Sequence, residues 1–334
     1  MAKKVAINGL GRIGRAAFKI ILDTPELELA AVNDLVPLDN LAYLLRYDTV
    51  YGRYEKEVKS KANSLIVNGK AYEVLSERDP SKLPWRELGV DIVFECTGLF
   101  TRKEDALKHI QAGTKMVILS APSKSEDVAT VVHAVNTPPG EAQIISCASC
   151  TTNCITPVFE IMSRRIGVKK AMLTSVHAYT ATQRLVDGPD KRLRRGRAAA
   201  CNMVPTTTGA AIATTRVLPE YKGKFDGSAV RVPIAIGSIS TLVFVTSRPT
   251  TVEEVNKIFK EESESPRYEG IVDVSEDAMV SSDIIRDPRT SVIDLGMTQV
   301  VDNDLVKVMS WYDNEWGYAN QMIREAVRIA REKK

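Results

Sequence analysis

The stretch that most narrows the fold is Gly9-Leu10-Gly11-Arg12-Ile13-Gly14, set between a short strand pattern at Lys4 to Asn8 and an apolar-periodic segment, Ala16 to Leu22. Glycine at these places permits a tight turn, close approach of the backbone to a pyrophosphate, and close packing of helix on strand. The pyrophosphate would rest on the helix amino terminus, where unpaired N–H groups and the helix dipole favour an anion. Alone, such a pattern is often no more than a glycine turn. Here a second strand pattern, Leu27 to Val32, ends at Asn33-Asp34, 20 residues beyond Gly14. A carboxylate at that distance accepts hydrogen bonds from both hydroxyls of an adenosine ribose and repels a 2′-phosphate, so NAD is expected over NADP.

Strand patterns recur at Asp91 to Glu95, Met116 to Leu119 and Ala142 to Ile145, with a helix pattern over Arg102 to Gln111. This alternation predicts a parallel, doubly wound sheet. Small polar residues follow the strands, at Thr97-Gly98 and Ser120-Ala121-Pro122, as expected where a ligand lies across strand carboxyl ends. Val50 to Glu73 reads as a hairpin insertion turning at Asn68-Gly69.

Ser146 to Cys154, Ser-Cys-Ala-Ser-Cys-Thr-Thr-Asn-Cys, joins the last of these strands to a helix-like run, Ile155 to Ile166. Cys150 then stands where a strand gives way to a helix. Positive potential and free N–H donors there favour a thiolate and can hold a developing oxyanion, which makes Cys150 the candidate nucleophile. A metal site would need distant recruits, because Cys96 and Cys201 are isolated and no second Cys-x-x-Cys exists. A Cys150–Cys154 disulfide is disfavoured, since Cβ atoms one helical turn apart lie about 5–6 Å from each other and a bridge needs roughly 3.5–4.5 Å. Cysteines simply buried at a helix start are the plain alternative.

Farther on, Ala171 to Val176 reads as a strand ending at His177, which opens a polar loop and can serve Cys150 as base. His109 lies in an amphipathic helix pattern and reads as a surface or packing residue, and His133 has no companion polar motif. Arg184 to Arg197 is rich in arginine and interrupted by Gly188-Pro189. A solvated basic face is the bland account, and without an aromatic to stack a base RNA binding is disfavoured. An anion site fits better, with Thr206-Thr207-Thr208-Gly209 and Arg231 adding donors suited to phosphate. Arg231 to Thr246, Val292 to Leu295 and Leu305 to Tyr312 read as strands, Val252 to Glu261 as a helix, and an amphipathic helix closes the chain to Lys334.

Composition sets limits. At 334 residues the chain has room for two domains, no stretch approaches a membrane span, and the amino terminus runs straight into a strand pattern, so the expected location is the cytoplasm. Five cysteines without a framework spacing agree with a reducing compartment. A net charge of +3 implies neither a nucleic-acid nor a membrane partner.

Over essentially its whole length the sequence resembles the phosphorylating glyceraldehyde-3-phosphate dehydrogenases. The resemblance rests on Asn8 to Arg15, Ala148 to Asn153 with Cys154, Val176 to Gln183, Pro205 to Ala211, Arg231-Val232-Pro233 and Trp311 to Asn320. It implies a Rossmann domain with a doubly wound parallel sheet over 1–149, joined by the C-terminal helix 316–334, and a catalytic domain with a mostly antiparallel sheet over 150–315. It implies a homotetramer acting in glycolysis or gluconeogenesis, with NAD as cofactor and glyceraldehyde 3-phosphate and inorganic phosphate as substrates. By motif, Cys150 is similar to the family's nucleophile and His177 to the residue that activates it. Arg12, Ile13, Asp34, Arg78, Ser120 and Asn320 resemble cofactor contacts, beside Gly9, Gly11, Gly14 and Thr97 from the reading above. Ser149, Thr151, Thr180, Arg195, Thr208, Gly209 and Arg231 resemble the two anion subsites.

The departures are Cys147 where the family usually has Asn, Ala178 where Ser is common, and Leu10 where Phe is common. The nearest alternative is erythrose-4-phosphate dehydrogenase, which releases a free acid. Thr207-Thr208-Gly209-Ala210-Ala211 follows the glyceraldehyde-3-phosphate pattern instead.

Overall fold

A computed structural model describes residues 2–138, 140 and 142–332. The final two positions of the helix expected to reach Lys334 lie outside them. The chain divides into one unit of Met1–His133, Thr137–Ala148 and Met322–Lys334, and a second of Ala134–Asn136 and Ser149–Gln321. Ser149 thus goes with the second unit, and the last helix, Trp316–Glu332, is shared, joining the first unit from Met322 onward.

In the first unit a nine-stranded sheet runs Ala129–Thr130, Ile144–Ser146, Met116–Leu119, Ile92–Glu95, Lys3–Asn8, Leu27–Asn33, Lys70–Leu75, Ser64–Val67 and Val58–Lys61. Neighbours are parallel as far as Lys70–Leu75, and the last two strands are antiparallel. Val5, Ala6, Ile7, Val93, Phe94, Val117 and Ile118 are fully buried, the near-continuous apolar run of strands covered on both faces. The chain enters at the centre, so the strand order reverses between Lys3–Asn8 and Ile92–Glu95, the place where such sheets bind ligands. The segment expected as a hairpin insertion extends this same sheet. Its turn at Asn68-Gly69 has both residues left-handed, with φ of +47° and +81°. Of the two readings for His109, surface or packing, full burial leaves packing, while His133, expected to have no polar companion, has Nδ1 2.8 Å from a Glu325 carboxylate oxygen.

The second unit carries a sheet in the order Val204–Thr207, Phe225–Val232, Val168–Ala178, Ser238–Thr246, Leu305–Tyr312, Ser291–Asp294 and Val272–Ser275, with Gln299–Val301 also paired to Leu305–Tyr312. Two of its pairings are parallel and the rest antiparallel. The run expected as one strand from Arg231 is two strands. Pro233 and Gly237 lie between them, and Arg231 sits near the end of the first. Helix Cys150–Arg165 is buried from Thr151 through Met162 because it lies inside a core with Leu173, Leu242, Phe244, Val306 and Val308 of the sheet and Val255 and Phe259 of helix Val252–Ser263. That burial, about 1.5–3 kcal/mol for each large apolar side chain, holds the helix start in place.

Candidate active site and cofactor cradle

The glycine turn belongs to the first unit. Gly9 takes φ +94°, and a Cβ on Gly14 would lie 1.9 Å from the Gly9 carbonyl oxygen, so helix Arg12–Ile21 can seat here only without a side chain. Gly11 caps that helix without a side-chain bond, and a Cβ there would meet nothing within 4 Å, which leaves the first-turn N–H groups without a side-chain cap. Asp34 is stitched to the same turn: one carboxylate oxygen accepts the Leu10 N–H at 2.6 Å and the other accepts from Val36 at 2.9 Å. Arg12 pairs with Asp48, and Ile13 is half-buried beside it in the first turn. Thr97 and Ser120 follow neighbouring strands, and Arg78 is exposed in the loop after Lys70–Leu75. The cradle fits a dinucleotide: glycine where a Cβ would collide, an uncapped helix start, and a carboxylate at the end of the adjoining strand. Asn320 belongs to the second unit, where its side-chain N–H donates to the Trp316 carbonyl at 2.9 Å.

The expected nucleophile and base meet in the second unit. After Ile144–Ser146 the chain turns through Ala148, at φ +55°, and Ser149 caps the next helix by accepting the Thr152 N–H at 3.2 Å. Cys150 is therefore the first residue of a capped helix, and its Sγ lies 3.3 Å from His177 Nε2. Parallel pairing sets His177 opposite Arg231. Arg231 donates to the Ala178 carbonyl at 2.9 Å, and the same carbonyl lies 2.7 Å from His177 Nδ1. His177 Nδ1 also lies 2.8 Å from Arg231 Nη1, so it meets both a donor and an acceptor; in the tautomer whose Nδ1–H donates to Ala178, Nε2 is left bare to take a proton from Cys150.

The electrostatics correct the simple expectation of a thiolate. Burial pushes the Cys150 thiol up, against the pull of Arg231 and of the Thr151 and Cys150 N–H groups. Burial, with help from Arg231 and Arg195, brings His177 down to about 3. Each charge is thus disfavoured singly, which favours the neutral thiol–imidazole pair. A thiolate forms here together with an imidazolium at hydrogen-bond distance, as one transferred proton.

Two guanidinium groups with no ion pair among the described residues, Arg195 and Arg231, act on the pair. Arg195 is lowered by burial and by the charges of Arg192 and Arg231, and it donates to the Thr206 hydroxyl at 3.1 Å. Arg231 is lowered by burial, and its buried Nε has no hydrogen-bond partner among the described residues. An unpartnered guanidinium N–H beside a second guanidinium is a place for an anion. Thr208 accepts from the Ala210 N–H at 3.1 Å, and Gly209 leads into helix Ala210–Val217 with no side-chain cap. The Thr180 and Thr182 hydroxyls are 2.9 Å apart. The Thr151 hydroxyl, expected to meet phosphate, is 2.9 Å from that of Tyr312.

Tyr312 is the site residue that pattern reading passed over. Its hydroxyl also reaches Ser175 at 3.1 Å, and its ring stands edge-on to His177 at 6.0 Å. The signal was present in the aromatic run from Trp311, but packing explains such a run equally well. Among the described residues no cluster of three or more His, Cys, Asp or Glu is placed to hold a metal ion, and no helix is long and apolar enough to cross a membrane.

Comparison with known proteins gives the family. Residues 3–103 match the family description "Glyceraldehyde 3-phosphate dehydrogenase, NAD binding domain", and residues 149–314 match "Glyceraldehyde 3-phosphate dehydrogenase, C-terminal domain". The chain is 49% identical to a glyceraldehyde-3-phosphate dehydrogenase of Streptomyces coelicolor, over 97% of each chain. It is 49% identical to one of Geobacillus stearothermophilus and 43% identical to one of Zymomonas mobilis, each over 99% of both chains.

Proposed function

The chain belongs to the glyceraldehyde-3-phosphate dehydrogenase family, as an NAD-dependent oxidoreductase, and from that premise we propose that it oxidises D-glyceraldehyde 3-phosphate to 1,3-bisphosphoglycerate using inorganic phosphate. The observation that carries this reading is the Cys150–His177 pair at 3.3 Å beside the unpartnered Arg231 N–H.

His177 Nε2 takes the Cys150 proton as sulfur bonds to the aldehyde carbon, giving a hemithioacetal whose oxygen is held by the helix-start N–H groups. NAD, when bound, supplies the acceptor for the hydride leaving that carbon. His177 gives its proton to the hemithioacetal oxygen, making the hydroxyl, and takes it back as the hydride leaves, so a thioester on Cys150 and a protonated His177 result. Phosphate held among Arg195, Thr208, Gly209 and Arg231 attacks the thioester carbon, the C–S bond breaks, and the sulfur regains its proton from His177. Ser149, Thr151 and Thr180 complete the two anion subsites in this reading. Gly9, Gly11, Arg12, Ile13, Gly14, Asp34, Arg78, Thr97 and Ser120 hold the cofactor, and Asn320 addresses the nicotinamide amide.

A homotetramer acting in the cytoplasm belongs to the same proposal. Leu185, Val186, Leu193 and Met203 are exposed on one loop region and suit contact with a second copy. The test is NADH formation from glyceraldehyde 3-phosphate with and without inorganic phosphate. Turnover that requires phosphate is expected. Turnover indifferent to phosphate, with erythrose 4-phosphate as the better substrate, would overturn the assignment.

A further inference from the structure

The three strands that meet where the first sheet reverses order end in Asn33, Asn8 and Glu95, in register side by side. Their buried side chains form a row. Asn33 donates to the Asn8 amide oxygen at 2.7 Å, and Asn8 donates to Glu95 Oε2 at 2.6 Å. At one end Asn33 both donates to the Glu77 carbonyl and accepts the Glu77 N–H, each at 2.8 Å, which fastens the loop just before Arg78. At the other end Glu95 Oε1 accepts from the Thr97 backbone at 2.8 Å and from the Thr97 hydroxyl. Thr97 in turn seats the glycine turn, since a Cβ on Gly9 would meet its methyl at 2.9 Å.

Behind Glu95 stand two residues with no part in the proposed chemistry. Trp85 and His109 are fully buried. The Trp85 indole N–H, a donor only, points at His109 Nδ1 at 3.0 Å. That makes Nδ1 the acceptor and leaves the ring proton on Nε2, 3.1 Å from Glu95 Oε2. Glu95 is therefore filled by four donors, from Thr97 twice, Asn8 and His109, and none is a guanidinium or ammonium group. A carboxylate held this way has one low-energy position, and losing a donor frees it to move or to draw in water.

We propose that Trp85 and His109 are positioning residues for the cofactor, acting through Glu95, Asn8 and Asn33 to hold the Thr97 and Arg78 loops and the glycine turn in the NAD-competent arrangement. This rests on the NAD-dependent reading of the site. Histidine serves here as a rigid acceptor–donor pair, a role a glutamine amide can also fill and a leucine cannot.

NAD titrations by calorimetry on the full chain, wild type against His109→Leu, His109→Gln and Trp85→Phe, test this. His109→Leu should weaken NAD binding about tenfold or more and raise KM for NAD in proportion, the scale expected when a ligand-contacting loop is misplaced by a fraction of an ångström. The KM for the aldehyde and the alkylation rate of Cys150 without NAD should stay within about twofold, and His109→Gln should restore NAD affinity to within about threefold of wild type. A folded His109→Leu variant with wild-type NAD affinity, or a His109→Gln variant as weak as His109→Leu, overturns the proposal. If His109→Leu does not fold, Trp85→Phe decides: affinity lowered about threefold or more supports the proposal, and unchanged affinity overturns it. Wild-type protein that binds no NAD would instead overturn the proposed function, and this inference with it.

Discussion

Replacing His177 with asparagine removes the proposed base, 3.3 Å from Cys150 Sγ, and leaves the rest of the helix start in place. In the proposed mechanism the thiolate is reached by a short proton transfer to His177 Nε2. Without it, the thiol must ionise to solvent. A thiol with its ordinary pKa of about 8.5 is only ~3% thiolate at pH 7, and each further unit of upward shift costs tenfold. Burial does push Cys150 up. General base catalysis adds about 10²–10⁴-fold, so His177→Asn should lower turnover by about 10²–10⁴, or about 2.7–5.5 kcal/mol in barrier. The pH profile is the sharper readout. His177 remains a base down to about 3, so the wild-type rate of Cys150 alkylation by iodoacetamide should be flat where the variant's is not. From about pH 5 to 8 the variant's rate should rise close to tenfold per unit. A His177→Asn protein with a flat profile, or with turnover within about tenfold of wild type, would refute the reasoning.

The same burial affects stability. Folded His177 titrates at about 3, and an unfolded histidine near 6.5, so between those values the unfolded chain binds more protons. Stability from this group is full above pH ~6.5 and falls in acid by up to about 1.4 kcal/mol per unit; His177→Asn should flatten the Tm profile below that pH, and parallel profiles would contradict the argument. In the cradle, Gly14→Ala places a Cβ 1.9 Å from the Gly9 oxygen. The turn or the helix must shift by about an ångström, so NAD affinity by calorimetry should fall about a hundredfold or more, and a loss below threefold would show that the helix start is not the anion seat. Cys147 is buried, and its thiol is pushed well up by burial with the help of Glu325 and Cys96, so it is inert as a nucleophile. Cys147→Asn should keep turnover within about tenfold, less than ~1.4 kcal/mol, and a larger steady-state loss would reveal a catalytic role.

What the sequence shows and what it hides follow from the range of the interactions. The glycine turn, Asp34 and the Asn68-Gly69 hairpin are local, since φ requirements and strand–turn–helix order are written in adjacent residues. Strand Phe225–Val232 was missed because Asp226, Gly227 and Ser228 break its apolar pattern. Gly227 is there because a Cβ would meet Leu173 at 2.5 Å on the neighbouring strand, a tertiary demand. Helix Leu38–Arg46 begins after Pro37 without a side-chain cap, so it gives little starting signal. Arg231 faces His177 by parallel register between strands 54 positions apart, which periodicity cannot reveal. The pairing of His133 with Glu325, 192 positions away, is hidden for the same reason. Cys150 was legible as a helix-start residue, but the burial that keeps its thiol neutral depends on the whole core around it.

The central claim is that Cys150 carries the oxidised substrate until phosphate removes it. Intact-protein and peptide mass spectrometry after mixing the chain with glyceraldehyde 3-phosphate and NAD, without phosphate, tests it most directly. An acyl adduct is expected on the peptide containing Cys150, absent from Cys150→Ser and discharged when inorganic phosphate is added. NADH formed with no adduct on Cys150, or an adduct that phosphate leaves in place, would contradict it.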